Sequence, residues 1–215
     1  MRTFCASVIL FICMLCMSTR SYGQRYLDEY NVFYGGLVGG LNFTQVDGDN
    51  FAGYHKVGFN AGAIVYARLD EHVAASMELL FSQKGSRSTL TQGILNGVYI
   101  TDYKIKLNYA EVPILINYFD KHHSHFGGGL SYGQLASSSE SITTVPNQNY
   151  DLSKYPFKKI DLNIVLNGNL HLYKGLFYNL RFQYSLISIR DNIPTDNGNR
   201  GQFNNMWVMR LMYLF

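Results

Sequence analysis

The residues best suited to chemistry in this sequence fall into four groups. His122-His123-Ser124-His125 places three imidazoles in four positions, with Asp120 close by. A zinc site needs three or four ligands in fixed geometry, and this tract sits in a short turn with one carboxylate, so it reads as a solvated turn. A serine hydrolase or acyltransferase needs a base and an orienting group converging on the nucleophile. His55 is the one histidine at the outer end of the expected strands, and no motif ties it to a serine or an acid. Glu78 and Glu111 are expected to point inward from neighbouring strands, where paired carboxylates could do acid–base work. Arg68, Lys84, Lys104 and Lys106 are expected beside them, which makes structural ion pairs the reading. Gly127-Gly128-Gly129 is followed by no lysine and no helix start, so it is not a phosphate loop. Strand glycines instead let a barrel curve or let an aromatic ring lie across a neighbour. No catalytic, cofactor or metal residue is expected.

The elements that would carry these residues are strands. The last ten residues, Met206–Phe215, read M-W-V-M-R-L-M-Y-L-F. One face holds Trp207, Met209, Leu211, Tyr213 and Phe215. The other holds Met206, Val208, Arg210, Met212 and Leu214. A water-facing strand has no use for five large apolar or aromatic groups on one side, whereas a lipid-facing strand does. The stretch reads as the closing strand of a transmembrane β-barrel. Trp207, Tyr213 and the terminal Phe215 have the character of an insertion signal read by barrel-insertion machinery.

Seven earlier strands follow from the same period of two. They are expected at Val32–Phe43, His55–Arg68, Val73–Gly85, Thr101–Phe119, Ser124–Leu135, Phe157–Leu172 and Leu176–Arg190. In the strand after Ser124, Phe126, Leu130 and Tyr132 share a face. In Phe157–Leu172, Ile160, Leu162, Ile164, Leu166, Leu170 and Leu172 face out, while Asp161, Asn163, Asn167 and Asn169 face in. In Thr101–Phe119 the phase slips. Tyr103, Ile105, Leu107 and Tyr109 are expected outside with Lys104 and Lys106 inside, and beyond a bulge near Ala110–Glu111 the outer face becomes Val112, Ile114, Ile116 and Tyr118. The connections alternate between long and short. The long ones are Thr44–Tyr54, Ser86–Ile100, Ala136–Pro156 and Asp191–Gln202. The short ones centre on Asp70, Lys121 and Lys174. That order predicts an all-β fold, an eight-stranded antiparallel up-and-down transmembrane β-barrel with short periplasmic turns and long extracellular loops.

The chain start agrees. Met1–Gly23 has Arg2, the apolar run Phe4–Met17, and Ser21 and Gly23 at −3 and −1 of a cleavage site before Gln24. Residues 1–23 are thus expected to be a signal peptide and residues 24–215 the barrel domain. Cys5, Cys13 and Cys16 all lie in the leader, so the mature chain has no disulfide framework. Losing Arg2 and Arg20 takes the formal charge from +3 to +1, which excludes nucleic acid as an evident partner. Mean hydropathy near zero is ordinary for a barrel, because half of each strand faces a polar interior.

The expected interior carries Lys56, Arg68, Glu78, Lys84, Lys104, Lys106, Glu111, Asp161, Arg181 and Arg210. Buried charges are costly unless paired. Mixed signs inside an eight-stranded ring, whose bore is only wide enough for side chains, predict an ion-pair network rather than a pore. The reverse arrangement, apolar inside and polar outside, would be a soluble ligand-binding barrel.

Several stretches resemble a known family. They are G-G-L-N-F at Gly39–Phe43, M-E-L-L-F-S-Q-K-G at Met77–Gly85, L-N-Y-A-E-V-P-I-L-I-N-Y-F at Leu107–Phe119 and F-K-K-I-D-L-N-I-V-L-N-G at Phe157–Gly168. Together they look like the PorT-like outer-membrane β-barrel proteins of the Bacteroidetes. The resemblance implies an integral protein of the cell outer membrane with no defined catalytic or cofactor residues. The family's namesake is associated with type IX secretion and gingipain export. The expected function is a structural or surface-interaction barrel in outer-membrane lipid, not an enzyme. The alternatives are an accessory of protein secretion or envelope assembly, with partner proteins to match, and a barrel enzyme acting on lipids.

Overall fold

The structure, a computed structural model, describes residues 32–49, 53–88, 92–94, 98–147, 155–191 and 201–215. The expected leader Met1–Gly23 and the lead-in Gln24–Asn31 lie outside the described residues, as do parts of the four long connections. The strands are β1 Phe33–Asp47, β2 Lys56–Arg68, β3 Val73–Ser88, β4 Gln92–Ile94, β5 Val98–Phe119, β6 His125–Val145, β7 Ile160–Tyr173, β8 Leu176–Ser185 and β9 Phe203–Leu214.

Every pairing is antiparallel, and the sheet runs β3-β2-β1-β9-β8-β7-β6-β5 before β3 pairs with β5 to close the ring. The three-residue β4 pairs with β5 alone and lies outside the ring, leaving eight barrel strands. First and last strands meet along their length, with Leu37 opposite Tyr213 and Gly40 opposite Arg210. Closure satisfies the backbone donors and acceptors inside the sheet, which is the condition for crossing lipid with strands.

The side chains follow the strand period, and the polarity is that of a membrane protein. On β3, Met77 and Leu79 are 55% and 66% exposed, whereas Glu78 and Leu80 between and beyond them are 1% and 2% exposed. Leu41, Val65, Ile114, Leu130, Leu166 and Leu211 continue the exposed apolar band round the ring. The tight turns after β2, β5 and β7 lie at the same end as both termini of the ring. Two of these turns use a left-handed residue, His123 with φ 64° and Lys174 with φ 50°.

Three expectations need correcting. First, β5 keeps one phase throughout. Tyr103, Ile105, Leu107 and Tyr109 are buried in the lumen, and Lys104 and Lys106 point outward. One register shift falls between Asn108↔Ser137 and Tyr109↔Leu135, which puts the extra residue, Ala136, on β6 rather than on β5. The physical reason is height. This part of β5 stands beyond the exposed apolar band, where the outer face is polar and the apolar side chains belong within. Second, Ala136–Val145 is not loop but the outer half of β6. Its serines are indifferent to which face meets water, while Ile142, Thr143, Thr144 and Val145 favour the extended chain. Third, several strand ends differ: β1 runs on through Thr44–Asp47, β3 through Ser86–Ser88 and β5 from Val98, with β4 between them, all in stretches expected to be loop, whereas β8 stops at Ser185 short of the expected Arg190.

Candidate functional site

The lumen is filled in layers. At the short-turn end Val38, Ile64, Tyr66, Leu80, Phe177 and Met212 form an apolar floor. The Tyr66 hydroxyl lies 2.9 Å from His125 Nε2 within it, and the His125 ring stacks on Phe119 at 4.1 Å. At the long-loop end Val46, Tyr103, Ile105, Leu107, Tyr109 and Ile189 form an apolar ceiling. Beside it Arg190 pairs with Glu140, which also accepts a 2.9 Å bond from the Tyr103 hydroxyl. The Arg190 guanidinium lies 3.7 Å over the Phe157 ring centroid.

Between floor and ceiling sit two charged triads. In the lower one, Glu78 on β3 receives both terminal nitrogens of Arg210 on β9, each at 2.9 Å, and Nη2 of Arg181 on β8. Arg210 Nε donates to Asn179 Oδ1 at 2.6 Å. β3 and β8 are four strands apart in either direction round the ring, so the Glu78–Arg181 pair spans the bore. In the upper triad, Lys84 Nζ is 2.5 Å from Glu111 Oε1 and 3.0 Å from Asp161 Oδ2. Asp161 also accepts from Ser185 Oγ at 2.7 Å and Asn204 Nδ2 at 2.9 Å. Gln183 Nε2 reaches Glu111 across the lumen at 3.3 Å.

The charges balance. The lower triad has two arginines on one carboxylate and the upper one lysine between two carboxylates, so their surpluses cancel. Bidentate arginine–carboxylate geometry is among the strongest polar contacts available, and desolvation makes each member costly to orphan. Small residues make room. A Cβ on Gly40 would lie 2.2 Å from Met209 O and 2.4 Å from Arg210 Cα.

Among the described residues the groups singled out for chemistry lie apart from one another. Ser185 lies against a carboxylate with no imidazole beside it, and Glu78 and Glu111 belong to separate triads. The histidine tract does not converge. His122 points to Asp120 at 3.4 Å in an exposed turn, whereas His125 is buried in the lumen floor. Among the described residues no group of three or more His, Cys, Asp or Glu side chains could hold a metal. His55 is exposed at the outer rim. Arg68 sits at the short-turn rim, donating to Glu71 O at 3.3 Å, apart from the triads. Lys104 is outside the lumen, for the reason given for β5. Trp207, Tyr213 and Phe215 all lie on the outer face, with Trp207 against Phe182 at 5.0 Å between ring centroids.

Sequence reasoning missed the Glu140–Arg190–Tyr103 cluster, because Glu140 lay in expected loop and Tyr103 in the wrong phase. It also missed both apolar layers. The signal for the ceiling was present in the four apolar residues Tyr103, Ile105, Leu107 and Tyr109, which need shelter wherever the strand leaves lipid.

A closed antiparallel ring, greasy outside and ion-paired within, with short turns at one end and long loops at the other, defines an integral outer-membrane β-barrel protein. Residues 28–191 match the family described as outer membrane protein beta-barrel domain, and the chain belongs to that family. Solved structures of similar fold include Ail, the attachment invasion locus protein of Yersinia pestis, at 12% identity and a TM-score of 0.47, covering 85% of this chain and 98% of that one. AlkL, determined in DMPC bilayers, is similar at 13% identity and a TM-score of 0.39, covering 89% and 95%. OprG from Pseudomonas aeruginosa is similar at 14% identity and a TM-score of 0.35, covering 85% and 94%. No curated protein sequence matches the chain.

Proposed function

We propose that the protein is a non-catalytic barrel whose filled lumen makes it a rigid stage for the extracellular loops, which meet a partner at the cell surface. The observation that carries this reading is the Glu78–Arg181–Arg210 knot, which ties opposite walls of the bore together. A bore so filled is spent on rigidity and does not conduct solutes. Rigid scaffolds with long polar loops are where recognition commonly resides. Export by a leader at residues 1–23 and insertion guided by Trp207, Tyr213 and Phe215 belong to the same reading.

A second reading, an accessory role in protein secretion or envelope assembly, draws on the PorT-like motifs at Met77–Gly85 and Leu107–Phe119. The test is to excise residues 148–154, between β6 and β7, and compare proteins cross-linked to the intact and shortened barrels in outer-membrane preparations. Loss of a partner in the shortened form supports recognition by that loop. An unchanged set removes it. Secretion components among the captured proteins favour the second reading. Fatty-acid release from phospholipid by the folded protein would overturn the non-catalytic reading.

A further inference from the structure

The wall of the barrel is not uniform at its outer end. The β2–β3 ladder stops at Asn60↔Ser82, although β2 begins at Lys56 and β3 runs on to Ser88. On the inner side β1 closes the gap. Asn42 Nδ2 donates to Gln83 O at 3.0 Å and Thr44 Oγ1 to Gly85 O at 2.8 Å. On the outer side a groove remains, lined by His55, Arg87, Lys104 and Lys106, with Gln83 and Asn108 at its foot and the buried Lys56 reaching it from the inner phase of β2. The β3–β5 register sets Arg87 beside Lys104 and Lys106 beside Gly85, which has no side chain to fill the space.

None of these cations is in an ion pair among the described residues. The connection Thr89–Gly97 that follows β3 in sequence contains no charged residue. Asp102, the one carboxylate on this outer stretch of β5, forms no ion pair among the described residues either. Like charges gathered without counter-ions are unfavourable unless an anion joins them. Directly below the groove, Val57, Phe59 and Phe81 are exposed and belong to the apolar band. The cations therefore stand at the height where acyl chains give way to headgroups of the outer leaflet.

We infer that this groove binds the phosphate of an outer-leaflet glycolipid, with acyl chains lying on Val57, Phe59 and Phe81 and the phosphate among Arg87, Lys104 and Lys106. The chemistry is that of charge-assisted donors converging on phosphate oxygens. The lipid source is favoured over a soluble anion because the basic groups adjoin exposed apolar side chains that only a membrane lipid would also cover.

The test uses the full mature chain folded in uncharged detergent and native mass spectrometry to count retained lipid. Bis-phosphorylated lipid A should be retained, and the same lipid stripped of phosphate should not. The variant R87Q/K104Q/K106Q should lower retention at least roughly tenfold while keeping the heat-sensitive gel mobility of a folded barrel. K121Q/K174Q, at the opposite rim, should leave it unchanged. Equal retention of the phosphate-free lipid by the unaltered protein would overturn the inference without any variant. So would an undiminished signal from the triple variant, or displacement of the lipid by inorganic phosphate alone at millimolar concentration.

Discussion

Removing the Glu78 carboxylate would leave Arg181 and Arg210 facing each other, both 1–2% exposed, without their ion-pair partner. Orphaning a buried charge costs about 3–5 kcal/mol. Glu78→Ala should therefore unfold at a markedly lower temperature in detergent, read from the loss of the fast-migrating folded form on unheated gels. Replacing the whole triad by apolar residues, as in E78L/R181M/R210M, should recover most of that loss, because a buried ion pair contributes little more than a well-packed hydrophobic substitute. If the triple variant is as weak as the single one, the triad does more than fill space. At this scale the sequence was partly informative. The alternation of β3, β7 and β9 placed Glu78, Lys84, Asp161 and Arg210 in the lumen, but which acid meets which base depends on strands far apart in sequence. Lys104 was misplaced because its neighbours Tyr103 and Ile105 are apolar, and apolar residues were assigned to lipid at every height.

Elements carry the next level of consequence. β1 and β9 approach most closely at Gly36 and Gly40, and Gly40 presents no side chain toward Arg210. Gly40→Ala puts a methyl 2.2 Å from Met209 O, a distance that backbone must move to relieve. Its cost should reach roughly 1–3 kcal/mol or more, as for overpacking in a close-packed core. Gly168→Ala, with nothing within 4 Å of its would-be Cβ, should be nearly silent. Thermal melts of the two variants side by side check the contrast. The β5–β6 turn carries a pH dependence. Burial chiefly, then His171, Arg68 and His122, hold the His123 imidazole below its ordinary value of 6.5. The unfolded turn thus takes up its proton at higher pH than the folded one. Stability of the turn is full above about 6.5 and declines as pH falls through that value toward the folded one. Protection of the His123 and Asp120 amides, which bond to Asp120 O and Ser124 O, should fall on acidification in the unaltered protein once the intrinsic slowing of amide exchange is divided out. His123→Asn, which keeps a residue tolerant of φ 64°, should flatten the response. The turn was legible from its Asp, Lys and His content, whereas the extension of β6 through S-S-S-E-S was not. Serine-rich sequence reads as loop until a neighbouring strand, here β5, offers it a ladder.

Taken as one body, the barrel has a lumen whose filling decides whether anything passes through it. The ring closure and the order of short and long connections were readable from hydrophobic alternation and turn residues, since lipid outside and backbone satisfaction inside leave few other solutions. The layered plug was not, because the floor assembles from residues on five strands, and the ceiling from four β5 residues that meet Val46 and Ile189 from distant parts of the chain. The Glu78–Arg181 pair crosses the bore, the Lys84 triad sits above it, and an apolar layer caps each end. A permeating ion would have to displace paired charges and then cross two mostly apolar layers whose few polar groups include the bonded pairs Tyr66–His125 and Tyr103–Glu140, each step disfavoured by desolvation. The unaltered protein in planar bilayers should therefore carry no steady current. Raising salt from about 0.1 M to about 1 M, which shortens the screening length roughly threefold for exposed charges, should not open it, because the triads are out of reach of the electrolyte. A water-filled ion-pair network would respond otherwise, with current growing faster than bulk conductivity as the pairs loosen. A steady current at low salt would mean that solvent threads the triads, and the rigid-stage reading would lose the observation on which it stands.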